Sequence, residues 1–328
     1  MFRRFIREEP EESYAESIQR LRTALSESDA VIIGAGSGLS TAAGYTYSGQ
    51  RFNRYFSDFA EKYHIRDMYS GGFYPFPDME TFWAWWSRHI WVNRYAPIPN
   101  DTYDRLFNLV KDKDYFVLTT NVDHCFQRSG FDKKRLFYTQ GDYGLLQSIN
   151  PRGASAHMTY DNEEICRSML LAQGFEIGED KELIIPEGAQ IKMKIPRELV
   201  PHCPDDGELM TVNLRSGDDF VEDKGWHQAA ERYGDFLAEH GIRAQGFFTR
   251  DSRAKVNRAY KGKVLFLEVG VGGNTPGIVK YSFWEMTKER PDAIYVCLNN
   301  GEACAPGDIR KKSICINGDF GEIIDQLS

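Results

Sequence analysis

Apolar residues gather in near-continuous runs at 31–33, 115–118, 264–269 and 293–298, each followed by a glycine or a polar residue. Such runs lack the alternation of a strand with one wet face and match strands covered on both sides of a parallel sheet. Between them apolar positions recur at helical spacing. Tyr14, Ile18, Leu21 and Leu25 fall on one face of 11–27, and Leu106, Leu109 and Val110 follow a cap at Asp101 or Thr102. A further helix is expected over 225–240 and another from about 277. Shorter runs at 136–138 and 314–316 continue the rhythm, and the pattern as a whole predicts an α/β fold, a Rossmann-like parallel-sheet domain.

Two stretches break that rhythm. From 45 to about 72 the chain is aromatic, glycine-containing and irregular, which reads as a binding lid or as a surface excursion whose aromatics pack on a neighbour. It leads into a helix over 79–91, where Phe82, Trp86 and Ile90 share a face that Trp83 and Trp85 thicken. This is expected to be the core of a small helical module, with His89 structural. The second break, 142–215, carries Pro151, Gly153, an acidic patch at 161–164 and β-like runs at 183–185 and 191–195. The division expected is 1–50, 101–141 and 212–328 in the sheet domain, with 51–100 and 142–211 forming a smaller inserted helical and mixed module with a cofactor loop.

The candidate chemistry sits where the runs end. After 31–33 comes Gly34-Ala35-Gly36-Ser37-Gly38-Leu39-Ser40, a strand, a glycine turn and the start of a helix. A backbone without Cβ atoms lets a pyrophosphate approach, and helix N-terminal amides favour negative charge. The second run ends on Asn121-Val122-Asp123-His124, the third on Gly270-Val271-Gly272, positions where open parallel sheets bind ligands.

Composition narrows the picture. The 328-residue chain is 41% hydrophobic and carries a formal charge of −8, which argues against nucleic acid or an anionic membrane as its main partner. No run reaches the roughly 20 apolar residues of a spanning helix, and the N-terminus lacks a signal-peptide core. Six scattered cysteines fit reduced thiols in a cytoplasmic protein.

These strand-end clusters, in this order, resemble the sirtuin family. Gly36-Ser37-Gly38-Leu39-Ser40-Thr41-Ala42-Ala43-Gly44 looks like its Gly-Ala-Gly-Ile-Ser-x-x-x-Gly turn, and Thr120-Asn121-Val122-Asp123 like its Gln-Asn-Ile-Asp motif. Gln140-Gly141 falls where the family has His-Gly, Gly270-Val271-Gly272 resembles its Gly-Thr-Ser turn, and Leu298-Asn299 and Gly318-Asp319-Phe320-Gly321-Glu322 resemble elements near the adenosine. The resemblance implies NAD as cofactor, bound by Ala35, Gly36, Ser37, Gly38, Ser40, Thr120, Gly270, Val271, Gly272, Thr275, Asn299, Asp319 and Phe320. Arg51-Phe52 is taken as the displaced equivalent of the family's aromatic–arginine element. Asn121, Asp123 and Gln140 are the implied catalytic residues.

The departures point away from deacylation. Gln140 stands in place of the family's histidine base, and an amide cannot take up and release a proton near neutral pH. Asp218 and Asp219 align with two valines of the acyl-lysine groove. The paired Cys-x-x-Cys knuckles are reduced to Cys166 and Cys203, and two isolated thiols do not form a tetrahedral site, so no metal is expected; His202 and Asp206 are the residues that could substitute as ligands. The pattern resembles the macrodomain-linked (class M) sirtuins. That resemblance implies an NAD-dependent protein mono-ADP-ribosyltransferase acting on a lipoylated carrier protein like the glycine-cleavage H protein, with a macrodomain hydrolase reversing the mark. A weak deacylase, an NAD glycohydrolase and a non-catalytic NAD sensor remain the alternatives.

Overall fold

A computed structural model describes residues 12–243, 254–273 and 276–327. In chain order it begins α1 (Tyr14–Glu27), β1 (Ala30–Ala35), α2 (Ser37–Ala42), α3 (Gln50–Tyr63), α4 (Met68–Gly72) and α5 (Met79–Ile90). The last of these runs on as a wider π turn, Trp91–Tyr95. Then come α6 (Thr102–Val110), β2 (Asp114–Thr119), α7 (Cys125–Arg128), β3 (Leu136–Tyr138), β4 (Gly141–Ser148) and β5 (Tyr160–Asp161). They are followed by α8 (Glu163–Gln173), β6 (Glu176–Ile177), β7 (Leu183–Ile184), β8 (Met210–Leu214) and α9 (Lys224–Glu239). The described elements close with β9 (Val264–Val269), α10 (Lys280–Glu289), β10 (Ala293–Asn299), β11 (Ser313–Asn317) and α11 (Phe320–Asp325).

Six strands form one parallel sheet in the order β11-β10-β9-β1-β2-β3. The chain winds outward from β1 to one edge, then returns to β9 and winds to the other. The strand order therefore reverses between β1 and β9, the switch point at which doubly wound sheets hold ligands. Both β1 and β9 are buried along their whole length, as their apolar runs demand. One face of the sheet packs on α1 and α6 through Leu21, Leu25, Tyr103 and Leu106, the other on α9 and α10 through Tyr233, Leu237 and Phe283.

The smaller module has its own core, drawn from α3, α4, α5, the π turn, α8 and the antiparallel sheet β5-β4-β8. Trp83, Trp85 and Trp91 are fully buried there. Arg88 lies among them, paired with Asp58 at 2.8 Å and donating to Gln173 Oε1 at 2.8 Å. A buried guanidinium is tolerable only when so completely bonded.

The 45–72 stretch is not irregular. It holds α3 and α4, because Phe52, Phe56 and Phe59 recur at helical spacing, Phe56 and Phe59 packing against Trp85 and Phe52 against Phe56. Gly49, at φ +73°, turns the chain into α3. Nor is 191–195 a strand: the Ile195 amide bonds to Glu80 O, and the segment lies along α5. β8, which crosses position 212, pairs with β4 in the module's sheet.

Candidate functional site

Two glycine turns interlock at the carboxyl ends of β1 and β9. The Gly36 amide bonds to Val269 O at 3.0 Å and the Gly38 amide to Gly270 O at 2.9 Å. Gly270 has φ +62°, and a Cβ added there would collide with the Leu39 nitrogen. A Cβ on Gly36 or Gly38 would reach to 2.7 Å of Gly270. No side chain fits at any of these points, so the turns lie backbone against backbone, with Ser37 and Gly38 exposed at the tip. The bare tip at the start of α2 is open to a close backbone approach, so the residues present could receive a pyrophosphate there. Gly272 is open on its Cβ side, and Asn299 donates to Val271 O at 2.9 Å, pinning the second turn.

Thr120 and Asn121 bring the end of β2 against the first turn. The Thr120 amide bonds to Ala35 O at 3.1 Å. Asn121 is buried, and its Nδ2 donates to Gly36 O at 2.9 Å and to the Tyr103 hydroxyl at 3.2 Å. Its Oδ1 accepts nothing from the described residues. Tyr103 and Ser40 share a 2.9 Å hydrogen bond, and Ser40 Oγ donates to Asp123 Oδ2 at 2.5 Å. Asp123 Oδ1 takes the Cys125 amide at 2.9 Å. The consistent proton order is Asn121 to Tyr103 to Ser40 to Asp123. Burial pushes the Asp123 carboxyl up, against the opposing pull of Ser40 and the Cys125 amide. Tyr103 is likewise raised by burial and stays a neutral hydroxyl.

Beside this chain stands a second group. His124 has φ +64°, a left-handed conformation that is uncommon outside glycine but that histidine, like asparagine and aspartate, adopts more readily than most residues. Its Nδ1 lies 2.6 Å from Asp142 Oδ2, and Asp142 Oδ1 accepts from Arg94 Nε and from the Gly144 amide, each at 2.7 Å. Burial works to raise Asp142, but the His124 hydrogen bond and the Arg94 charge outweigh it and hold the carboxyl below its usual range. Asn121, Asp123, His124, Gly141 and Asp142 line one narrow crevice between β2 and β4.

Gln140 precedes that crevice at the end of β3. Its backbone oxygen bonds to the Arg215 amide at 2.9 Å, and its half-buried side chain makes no hydrogen bond with the described residues. Asp319 caps α11, accepting from the Gly321 amide at 2.8 Å, with Phe320 buried behind it. Arg51 and Phe52 lie on α3. Arg51 donates to Asn93 Oδ1 at 2.9 Å and to Val92 O and sits 5.0 Å over the Tyr45 ring, while Phe52 stacks on Phe56. Thr275 is outside the described residues. Tyr103, Arg94 and Asp142 were not reached from the sequence; the only hint was an aspartate two positions after Gln140.

The residues that depart from the family pattern also have definite surroundings. Asp218 and Asp219 are exposed in a turn, so their carboxylates face solvent and do not wall an apolar groove. Cys203 Sγ bonds to the Tyr160 hydroxyl at 3.4 Å, and His202 to Gly207 O at 3.1 Å. Among the described residues no three His, Cys, Asp or Glu side chains gather to hold a metal, and no helix is long and apolar enough to cross a membrane.

A doubly wound sheet with a glycine cradle at its switch point and an Asn–Asp loop beside it defines a sirtuin-type α/β protein. Solved Sir2 structures share the fold. One, a Sir2 homologue mutant in complex with ADP-ribose, is 15% identical with a TM-score of 0.51 over 94% of both chains. Another, a Sir2 homologue in complex with NAD, is 14% identical with a TM-score of 0.51 over 94% of this chain and 91% of that one. No family model matches the sequence. A protein ADP-ribosyltransferase of Staphylococcus aureus is 34% identical over 93% of this chain and 84% of its own length. A probable bifunctional ADP-ribose hydrolase/ADP-ribosyltransferase of Fusarium oxysporum is 29% identical over 95% of this chain, which spans 47% of that protein. The chain belongs to the sirtuin-type protein ADP-ribosyltransferases.

Proposed function

We propose that this enzyme breaks the nicotinamide–ribose bond of NAD and transfers a single ADP-ribose to a protein side chain. The reading is carried by the contrast between Asn121, locked into the glycine turn with its amide oxygen open, and Gln140, which stands where deacylation needs a base. The exposed tip at Ser37 and Gly38, where the interlocked glycine turns leave no side chain in the way, would receive the pyrophosphate, and Asn299 and Asp319 would flank the adenosine end. Cleavage proceeds through positive charge on the ribose C1′, which fixed dipoles stabilise without proton transfer. Asn121 Oδ1 supplies such a dipole, and Gln140 orients the ribose or the acceptor by hydrogen bonding alone.

The acceptor in this proposal is a lipoylated carrier protein resembling the glycine-cleavage H protein, with a macrodomain hydrolase removing the mark. The bifunctional name of the fungal relative supports the pairing of transfer with hydrolysis. A cytoplasmic setting is supported by the free cysteines, four of them buried. The test is incubation with labelled NAD, lipoylated carrier and an acetyl-lysine peptide together. Label on the carrier is expected. Brisk deacetylation with an unlabelled carrier overturns the proposal, free ADP-ribose alone marks a glycohydrolase, and binding without turnover marks a sensor.

A further inference from the structure

The site lacks a base at position 140, yet it holds an imidazole elsewhere. His124 lies on the loop that carries Asn121 and Asp123, and its ring is held from one side only. Nδ1 meets Asp142 at 2.6 Å, Asp142 is fixed by Arg94 and the Gly144 amide, and Nε2 has no partner among the described residues. An ionised Asp142 accepts, so the proton of the neutral ring stays on Nδ1 and Nε2 is left with its lone pair. The ring is 24% exposed, against 5% for Asp142, so solvent reaches the histidine while its carboxylate partner stays dry. The backbone accepts an uncommon φ to put the ring there.

We propose that His124 is the general base of the transfer, oriented by Asp142 and Arg94. The inference rests on the ADP-ribosyl-transfer reading of the site. An acceptor group that arrives bearing a proton gives it to His124 Nε2 as its freed electron pair forms the bond to the ribose C1′. The bond from C1′ to the nicotinamide nitrogen breaks at the same centre, and its electron pair stays on the departing nicotinamide as the neutral base. The imidazolium, stabilised by Asp142, then returns its proton to solvent. Gln140 is free to hydrogen-bond because the proton is handled from the neighbouring loop.

Two measurements decide the matter. His124→Gly suits the existing φ, and Asp142 keeps Arg94 and the Gly144 amide, so the variant is expected to fold with a lowered thermal midpoint. Its labelling of the lipoylated carrier should fall about 10²–10⁴-fold and recover in part when imidazole is added. Full activity without imidazole, or a loss that imidazole does not touch, overturns the assignment and leaves His124 a structural clamp. Independently of turnover, nitrogen-15 spectra of the histidine rings should show His124 protonated at Nδ1 and bare at Nε2, and Asp142→Asn should remove that preference. A proton on Nε2 in the wild type would overturn it as well. If the wild type releases no nicotinamide from NAD under any condition, the reading of the site fails first and the base falls with it.

Discussion

The sheet domain and the small module solve the same problem, holding the site still, by opposite means. At the switch point between β1 and β9 the binding surface is backbone: Gly36, Gly38 and Gly270 approach so closely that nothing but hydrogen fits between them. The module works with bulk. Phe56, Phe59, Trp83, Trp85 and Trp91 fill its interior, and Arg88 threads through with every donor spoken for. Buried polar atoms without a partner among the described residues occur in both halves, at Trp83, Trp85 and His89 in the module and at Ser129, Tyr233 and Trp284 in the sheet domain, but only the module's include an ionisable ring. The sheet domain gives the chemistry its precision, whereas the module supplies support that is sensitive to conditions.

The sharpest way to break that contrast is at Asn121, which ties the loop to the glycine turn. Asn121→Ala should cut transfer by about 10³-fold, the scale of losing a preorganised dipole, and cost about 1–3 kcal/mol of stability through the two buried hydrogen bonds it removes. Wild-type turnover would remove it from the mechanism. Arg88→Ala should strike only the module, costing about 3 kcal/mol by stranding Asp58 and emptying a buried site. Four of the six tryptophans lie there, so fluorescence in urea should report an early transition. A single unshifted transition would mean that the halves are not separable.

Gln140→Ala should lower labelling of the carrier about 10²-fold without moving the thermal midpoint, since its side chain bonds to none of the described residues. An unaltered rate would leave the amide without a role. The smallest effect concerns acid. Burial, aided by the Arg51 charge, lowers His89 from its ordinary value to about 3. Its contribution is fully present above pH 6.5 and declines as pH falls toward 3, by about 1.4 kcal/mol per unit. At pH 5 that amounts to about 2 kcal/mol. His89→Leu should remove this part of the pH dependence in denaturant titrations. Parallel losses in variant and wild type would show that another group is responsible.

The same division explains how much was legible in the sequence. β1, β2, β9 and β10 were visible because strands buried on both faces must be apolar throughout, and the ligand end of a parallel sheet follows from strand direction. Hence Gly36, Asn121 and Gly270 were legible. α3 was hidden because Arg51, Asn53 and Arg54 stand among its phenylalanines, and its packing surface on Trp85 comes from a distant segment. Tyr103, Arg94 and Asp142 were hidden for a related reason: each arrives from its own element, and nothing in local spacing says that they meet. The groove carboxylates Asp218 and Asp219 were misjudged because alignment fixes neighbours along the chain and not the direction in which a turn presents them.

The wide turn at Trp91–Tyr95 has an architectural consequence. It lodges one residue more per loop than an ordinary helix, and Arg94 reaches Asp142 from within it. Deleting a position there would return the segment to ordinary pitch and take Arg94 from the place at which it reaches Asp142. Insertions on the outer surface can come and go, but the count of residues between Trp91 and Tyr95 is fixed by a carboxylate on another strand.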